Sequence, residues 1–370
     1  MALQILWFVL WGVLWGVYFM LDGFDFGAVM LRNFLAHDEI DRRVALTSIG
    51  PVWDGNEVWL ITAGGATFAA FPVTYASMFS FLYLAMLLIL FSLIVRGVAV
   101  EYRGKSEALR WRSMWDWAMA IASLSASFLF GLAFGNIFRG LAFDASGYHG
   151  TFGGLWNGYG ILTGLLFVVV FLQHGALWLA VKSEGDLAAR AHRLAGRLWF
   201  VLLAIAALFL VASAFASKLI GNYLAHPVLL AVPLLAVCAL LVERLLIGRP
   251  GAAGASAAAS GPAGRSASSE ASGRKANGRL LWAFFASCAT ILLVVATGLV
   301  GLYPNLIPST LDPAANITIF NSSSGAYTLR VMTVVACIFV PIVIVYQLLV
   351  YRFFRGRVSR VEVAEETEGY

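Results

Sequence analysis

Gly50-Pro51-Val52-Trp53-Asp54-Gly55-Asn56-Glu57-Val58-Trp59-Leu60 opens an apolar run that continues to residue 72. Two carboxylates and two tryptophans sit in a stretch long enough to cross a bilayer. A second such place, Asp22-Gly23-Phe24-Asp25-Phe26-Gly27, closes the first apolar run. Carboxylates inside membrane segments are expensive, and by default they mark a proton or ion path. This stretch therefore points both to a membrane fold and to where its chemistry lies.

The rest of the chain agrees with the membrane reading. It is 61% hydrophobic and 12% charged over 370 residues, against about a quarter charged in soluble domains. The net charge of +5 does not imply nucleic acid, because the basic residues fall in short loops between apolar runs. Cys238, Cys288 and Cys337 lie in apolar segments without a CxxC pair. Neither a disulfide framework nor a zinc site is expected. No Lys or Arg precedes the first apolar run, so Leu3 to Leu21 is read as a retained helix, not a cleaved signal.

A spanning helix needs about 20 apolar residues. Nine segments qualify: 3–30, 51–72, 73–95, 114–138, 155–181, 198–220, 227–247, 280–303 and 330–353. With the N-terminus outside and the C-terminus inside, 22 of the 25 Lys and Arg fall on the inner side. Only Arg139, Lys218 and Arg330 are left outside. That asymmetry supports an all-α integral membrane protein with nine spans in this orientation. Residues 248–279, rich in Gly, Ala and Ser, read as a flexible inner linker. Residues 304–329 read as a polar outer loop, and Glu362, Glu365, Glu366 and Glu368 as a solvated tail.

On this topology the polar groups gather at the inner side. Asp22/Asp25 and Asp54/Glu57 are each spaced i, i+3, which predicts a shared helix face. Two close carboxylates in a poorly solvated place do not both ionise readily, so one can hold and pass a proton. Pro51 suits a first helical position, and the helix dipole there favours a carboxylate. The plainer reading is that Asp22, Glu101 and Asp116 cap helices or pair with Arg32, Arg42 or Arg43. Glu101 and Lys105, four apart, fit a surface ion pair equally well. For Asp54, between Trp53 and Trp59, the functional reading is favoured.

Small residues at Ala63-Gly64-Gly65-Ala66, Gly131/Gly135 and Gly23/Gly27 predict close helix contacts. Trp111, Trp115 and Trp117 suit an interfacial belt. Trp7, Trp11 and Trp15 form a stripe expected to face a partner or lipid. Of five histidines, His174 alone lies inside a span. A two-haem b-type bundle would show several such histidines, so the chain itself is read as haem-free and His174 as packed or hydrogen-bonded.

DGFDFG, GPVWDGNEVWLITAGGATFAAFP, EYRGK, RWRSMWDW and GLAFGN resemble subunit II of the cytochrome bd family of quinol oxidases. YPNLIPST, NSSSGAYTLRVMT and VPIVIVY extend the resemblance downstream. It implies one membrane domain over 1–370. Helices 1–4 (1–140) form a first four-helix bundle and helices 5–8 (155–303) a second, with helix 9 (330–353) peripheral and 354–370 a cytoplasmic tail. It also implies a heterodimer in the bacterial inner membrane with subunit I. That partner carries the quinol site, two haems b and a haem d or further haem b at the oxygen site. A bound structural quinone and a small single-helix subunit are compatible with the family. By matching motif, Asp54 is implied as the key acid of a cytoplasmic proton path. Glu101 and Lys105 lie nearer its mouth, and Asp25 is a further member; Glu57, an extra acid one turn from Asp54, is counted with the path in this chain. Trp53, Gly55, Asn56, Trp59, Gly23 and Gly27 belong to the structural motifs. Three features depart from relatives: Glu57 in place of a neutral amide, His174 in place of a neutral polar residue, and the 248–279 insertion. Two other readings stay open. One is a proton-coupled transporter of a small solute, although the paired Gly/Pro-interrupted helices that transporters use are not evident. The other is a purely structural assembly subunit.

Overall fold

The computed structural model describes residues 1–248 and 267–365. Its helices are α1 (Ala2–Leu35), α2 (Glu39–Thr47), α3 (Trp53–Ala70), α4 (Pro72–Phe81), α5 (Tyr83–Tyr102), α6 (Leu109–Arg139) and α7 (Gly158–Lys182). They continue with α8 (Gly185–Ala216), α9 (Ile220–Ala225), α10 (Ala231–Ile247), α11 (Ala267–Leu302), α12 (Ala326–Phe353) and α13 (Arg360–Glu365). Among the described residues eight helices are long and apolar enough to cross a membrane. The α3–α4 pair, bent by 120°, makes a ninth if it counts as one span.

That bend corrects the predicted spans 51–72 and 73–95. Residues 72–81 form a separate helix, and the next span starts at Tyr83. The cause is Pro72, which drives Phe71 out of helical geometry (φ −134°, ψ 65°) and then serves as the first residue of α4. Pro51 lies in a turn two residues ahead of α3 and does not open it. The predicted linker is also shorter than expected. Residues 249–266 lie outside the described residues, but α11 begins at Ala267. Helix α8 likewise begins at Gly185, ahead of the predicted 198. Its first turns, rich in Asp and Arg, fail an apolar test yet remain helical. Of the acidic tail, Glu362 and Glu365 lie in α13, while Glu366 and Glu368 are outside the described residues.

Helices α1, α6 and α7 form the centre, and glycine lets them meet. A Cβ on Gly27 would lie 1.8 Å from the Phe171 carbonyl oxygen, and one on Gly175 would lie 2.3 Å from the Ala28 nitrogen. Gly131 and Gly135 play the same part against Thr163 and Gly160 at the α6–α7 crossing. Phe19 fills the space between, with ring centroids 5.0 Å from Phe167 and 5.5 Å from both Phe130 and Phe134. Edge-to-face rings at such distances are favourable.

The tryptophan stripe of α1 turns inward, contrary to expectation. Trp7, Trp11 and Trp15 are buried. Trp7 Nε1 donates to Thr333 Oγ1 (3.1 Å) and Trp11 Nε1 to Thr67 Oγ1 (2.7 Å). Neighbouring helices thus supply acceptors to these two buried indole N–H groups, while Trp15 Nε1 has no partner among the described residues.

One end of the bundle is capped by short strands. β1 (Phe143–Asp144) pairs with β2 (Gly147–Tyr148), and β3 (Asn305–Ile307) with β4 (Ile317–Thr318). The predicted 304–329 loop is thus partly ordered into strand. It is tied down where Ser324 bonds Ala70 O through its N–H (2.8 Å) and Leu141 N–H bonds Pro308 O (2.9 Å). The other end gathers arginines and carries α13, which packs on α2. α12 stands apart: Leu329 is its one buried residue.

Candidate functional site

Three polar clusters line one side of the bundle towards its arginine-rich end. The deepest is built on Arg96 of α5. Its Nη1 donates to Asp22 Oδ1 (2.6 Å) and its Nη2 to Asp22 Oδ2 (3.1 Å). Nη2 also lies 3.2 Å from Glu57 Oε2. The guanidinium sits 4.2 Å from the Phe26 ring centroid. Asp22 and Arg96 are fully buried, and Glu57 is partly open. Burying charges this way is tolerable because the fork geometry of arginine satisfies both carboxylate oxygens.

The second cluster centres on Asn56 of α3. Its Nδ2 donates to Asp25 Oδ2 (2.8 Å), and its Oδ1 accepts from Gln347 Nε2 (3.0 Å) and Tyr351 Oη (2.8 Å) on α12. Asp25 is buried, and its Oδ1 has no hydrogen-bond partner among the described residues. The third cluster joins Asp116 to Arg32, Arg42 and Arg103, with Arg103 Nε at 2.5 Å. Glu39 of α2 accepts from Arg103 and Arg112. Two carboxylates and four guanidiniums thus knit the ends of α1, α2, α5 and α6 together. The plain reading holds for Asp116, which pairs with Arg32 and Arg42; Asp22 pairs with Arg96 and not with the arginines expected, and Glu101 has no ion pair among the described residues.

The predicted site residues divide into two sets. Asp25 and Glu57 join the buried network. Asp54 is exposed in the first turn of α3 and has no partner among the described residues. Its i, i+3 neighbour Glu57 turns inward to Arg96, so the expected shared face splits. Glu101 and Lys105 are exposed, and no ion pair joins them. They lie near the level of Asp54. Glu101 is five residues beyond Arg96 on α5, and Asp54 is one turn before Glu57 on α3, with Arg96 and Glu57 in contact.

Among the motif residues, Trp59 is buried, Trp53 packs against Gly97, and Gly55 comes near Gln347. Gly23 and Gly27 lie against Phe171. A side chain on Gly64 or Gly65 would meet nothing within 4 Å among the described residues, although Ala63 of the same motif is buried.

Sequence reasoning missed Arg96, Gln347 and Tyr351. Arg96 was counted among inner-loop arginines, although it sits six residues inside the end of α5. An arginine that deep, with acids on two neighbouring helices, was the available signal. His174 is held at both nitrogens, Nδ1 by Ser287 Oγ (2.6 Å) and Nε2 by the Met20 carbonyl (3.0 Å). A carbonyl can only accept, so Nε2 carries a proton and neither nitrogen is free for a metal. Between α12 and helices α1, α3 and α11 runs an apolar cavity of about 1020 Å³. Its wall includes Leu14, Phe24, Trp59, Phe284, Cys288 and Tyr351.

The profile of the family described as cytochrome bd terminal oxidase subunit II matches residues 3–354. The chain belongs to that family. It is 35% identical to cytochrome bd ubiquinol oxidase subunit 2 of Bacillus subtilis (strain 168), covering 98% of each chain. It is 33% identical to cytochrome bd-I ubiquinol oxidase subunit 2 of Escherichia coli (strain K12), covering 99% of this chain and 98% of that one. The fold is similar to a chain of the bd oxidase from Geobacillus thermodenitrificans, with a TM-score of 0.72 at 18% identity, over 96% of this chain and 99% of that one. As a cytochrome bd subunit II, the chain is a multi-pass membrane subunit of a quinol oxidase, an oxidoreductase that works as a complex with subunit I. Haems belong to that complex and mostly to the partner subunit.

Proposed function

We propose that this chain is the haem-free subunit of a heterodimeric terminal quinol oxidase in the bacterial inner membrane, with its N-terminus outside and its C-terminus inside. It stabilises subunit I, which carries two haems b and a haem d or further haem b. It also supplies a cytoplasmic proton path to the oxygen-reducing haem. Quinol and oxygen become quinone and water, and the reaction supports the proton motive force. Helices α1, α3, α5 and α6 would form the first bundle and α7, α8, α10 and α11 the second, with α12 peripheral. The apolar cavity beside α12 is large for a ligand pocket, typically about 300–1,000 Å³. That size and lining suit the tail of a structural quinone.

One observation carries the proton-path reading: Asp54 is exposed in the first turn of α3 and has no partner among the described residues. A charge facing lipid at membrane depth is costly. A partner subunit that covers α3 removes that cost and receives a proton donor directed at it. Glu101 and Lys105, exposed near the same level, sit where protons would enter. Asp25 and Glu57 flank the path from inside.

Asp54→Asn tests the reading. The complex should assemble with an unchanged haem spectrum while oxygen reduction slows about tenfold or more, about 1.4 kcal/mol in barrier. Full turnover with intact assembly would remove Asp54 from the path. Unimpaired turnover after joint neutralisation of Asp54, Glu101 and Lys105 would leave the purely structural role.

A further inference from the structure

The apolar cavity beside α12 carries charge at one end only. Along α12 its lining runs from Val331 to Tyr351, about 20 residues or about 30 Å at the helical rise, close to the thickness of a bilayer core. At the arginine-rich end the lining becomes Lys182, Asn277, Arg355 and Arg357. Lys182 is 9% exposed, and its Nζ donates only to the Phe354 and Gly356 carbonyls, the latter at 2.8 Å. Arg357 donates to the Val181 carbonyl (3.2 Å) and to Asn277 Oδ1 (2.5 Å). Arg355 is exposed and has no partner among the described residues. Every partner of these three cations among the described residues is neutral. Glu184 comes within electrostatic range of Arg357 but forms no ion pair with it. Arg32, Arg96 and Arg103, by contrast, each hold a carboxylate.

Arginines and lysines in open inner loops are ordinary and need only water. These three border one apolar cavity, so whatever fills the cavity also faces their charge. A quinone tail matches the apolar wall and leaves the cations unmatched. A free anion matches the cations and leaves the wall bare. We propose that this end of the cavity binds an anionic phospholipid, its phosphate among Lys182, Arg355 and Arg357 and an acyl chain along Leu281, Phe285 and Leu348. Basic pockets between spanning helices recognise such headgroups. A lipid of one leaflet reaches only to the middle of the bilayer, so the other half of the cavity stays open to a quinone tail. The lipid also joins α12 to α7 and α11, where α12 itself buries only Leu329. Assignment of the lipid to the inner leaflet rests on the orientation proposed above; the match of charge and wall does not.

Native mass spectrometry of the purified complex tests the site. Washed in detergent and titrated with phosphatidylglycerol or with phosphatidylcholine of the same chains, the complex should take up its first phosphatidylglycerol about tenfold more tightly. Arg355→Glu should assemble with an unchanged haem spectrum and lose that preference, and Arg355→Lys should keep it. Inorganic phosphate at equal concentration should not displace the lipid; displacement would make this a phosphate site and overturn the lipid assignment. Equal uptake of the two lipids by the wild type would overturn the proposal, as would an undiminished preference in Arg355→Glu combined with Arg357→Gln. Quinone released as phosphatidylglycerol enters would overturn the division of the cavity between them. Absence of any bound quinone would sink the quinone-tail reading yet leave the lipid preference intact, so the two failures are separable.

Discussion

Asp54 and Glu57 are separated by three residues, yet one faces outward and the other binds Arg96. Spacing places two side chains within a sector of a helix; only the neighbours decide which is buried. The presence of acids at membrane depth was therefore legible in the sequence, but the pairing was not. Asp22 and Arg96 are 74 residues apart and meet only because α1, α3 and α5 pack together. Removing one member of such a pair leaves the other buried and uncompensated, at a cost of about 3–5 kcal/mol. Arg96→Met should therefore reduce the heat stability and yield of the complex sharply. Adding Asp22→Asn should restore part of it by discharging the abandoned acid. No recovery in the double variant, nor on adding Glu57→Gln, would mean that Arg96 acts through packing on Phe26 instead.

Among the helices, Gly23/Gly27 and Gly131/Gly135 make the close contacts expected of them, while a side chain on Gly64 or Gly65 would meet nothing within 4 Å among the described residues. Gly27 touches the backbone of α7, so Gly27→Ala forces α1 and α7 apart. Overpacking of this kind costs about 1–3 kcal/mol, visible as a lower unfolding midpoint. Gly65 lines the cavity beside α12, whereas Gly64 does not. Gly64→Leu should leave the fold of the chain alone while weakening its association with subunit I in pull-down. Equal association would mean that this face of α3 meets lipid. The boundary at residue 72 was legible, but the separate helix 72–81 and the start of the next span at Tyr83 were not, because hydropathy averages over a window and is blind to chain direction. The proline itself was visible and marks the boundary for steric reasons. The inward turn of the α1 tryptophans was missed for the opposite reason: periodicity defines a stripe but does not say which side of the helix holds the protein.

Across the whole molecule, the segment after α12 closes back on the arginine-rich end. Lys182 Nζ donates to the Phe354 and Gly356 carbonyls, and Val358 N–H to the Lys182 carbonyl (2.7 Å). Arg360 bridges Asp38 (2.6 Å) and Asp41, and Arg190 holds Asp41 from α8. The Arg360 guanidinium keeps the Asp38 carboxyl below the usual carboxylate range. The stabilisation from that depressed value is fully present above about pH 3.9 and is lost as pH falls through the lowered one. Being half exposed, the pair contributes little by itself. At ~1 M salt, where screening acts within about 3 Å, or at low pH, residues 354–365 should become more open to protease. Arg360→Gln should show the same opening at neutral pH and low salt. Unchanged cleavage would assign the hold to the Lys182 and Val358 backbone contacts.

The exposure of α12 has a consequence in time. Helices α1, α6 and α7, with their glycine crossings and aromatic centre, are all synthesised by residue 182. α12 is made after every other spanning helix among the described residues, when the helices of the centre are complete. Its arrival is a docking event guided by Gln347, Tyr351 and the residue 354–365 clasp, and it completes the Asn56 cluster only then. A nascent chain halted before α12 holds its acids in place but leaves Asn56 Oδ1 without the two donors that α12 brings.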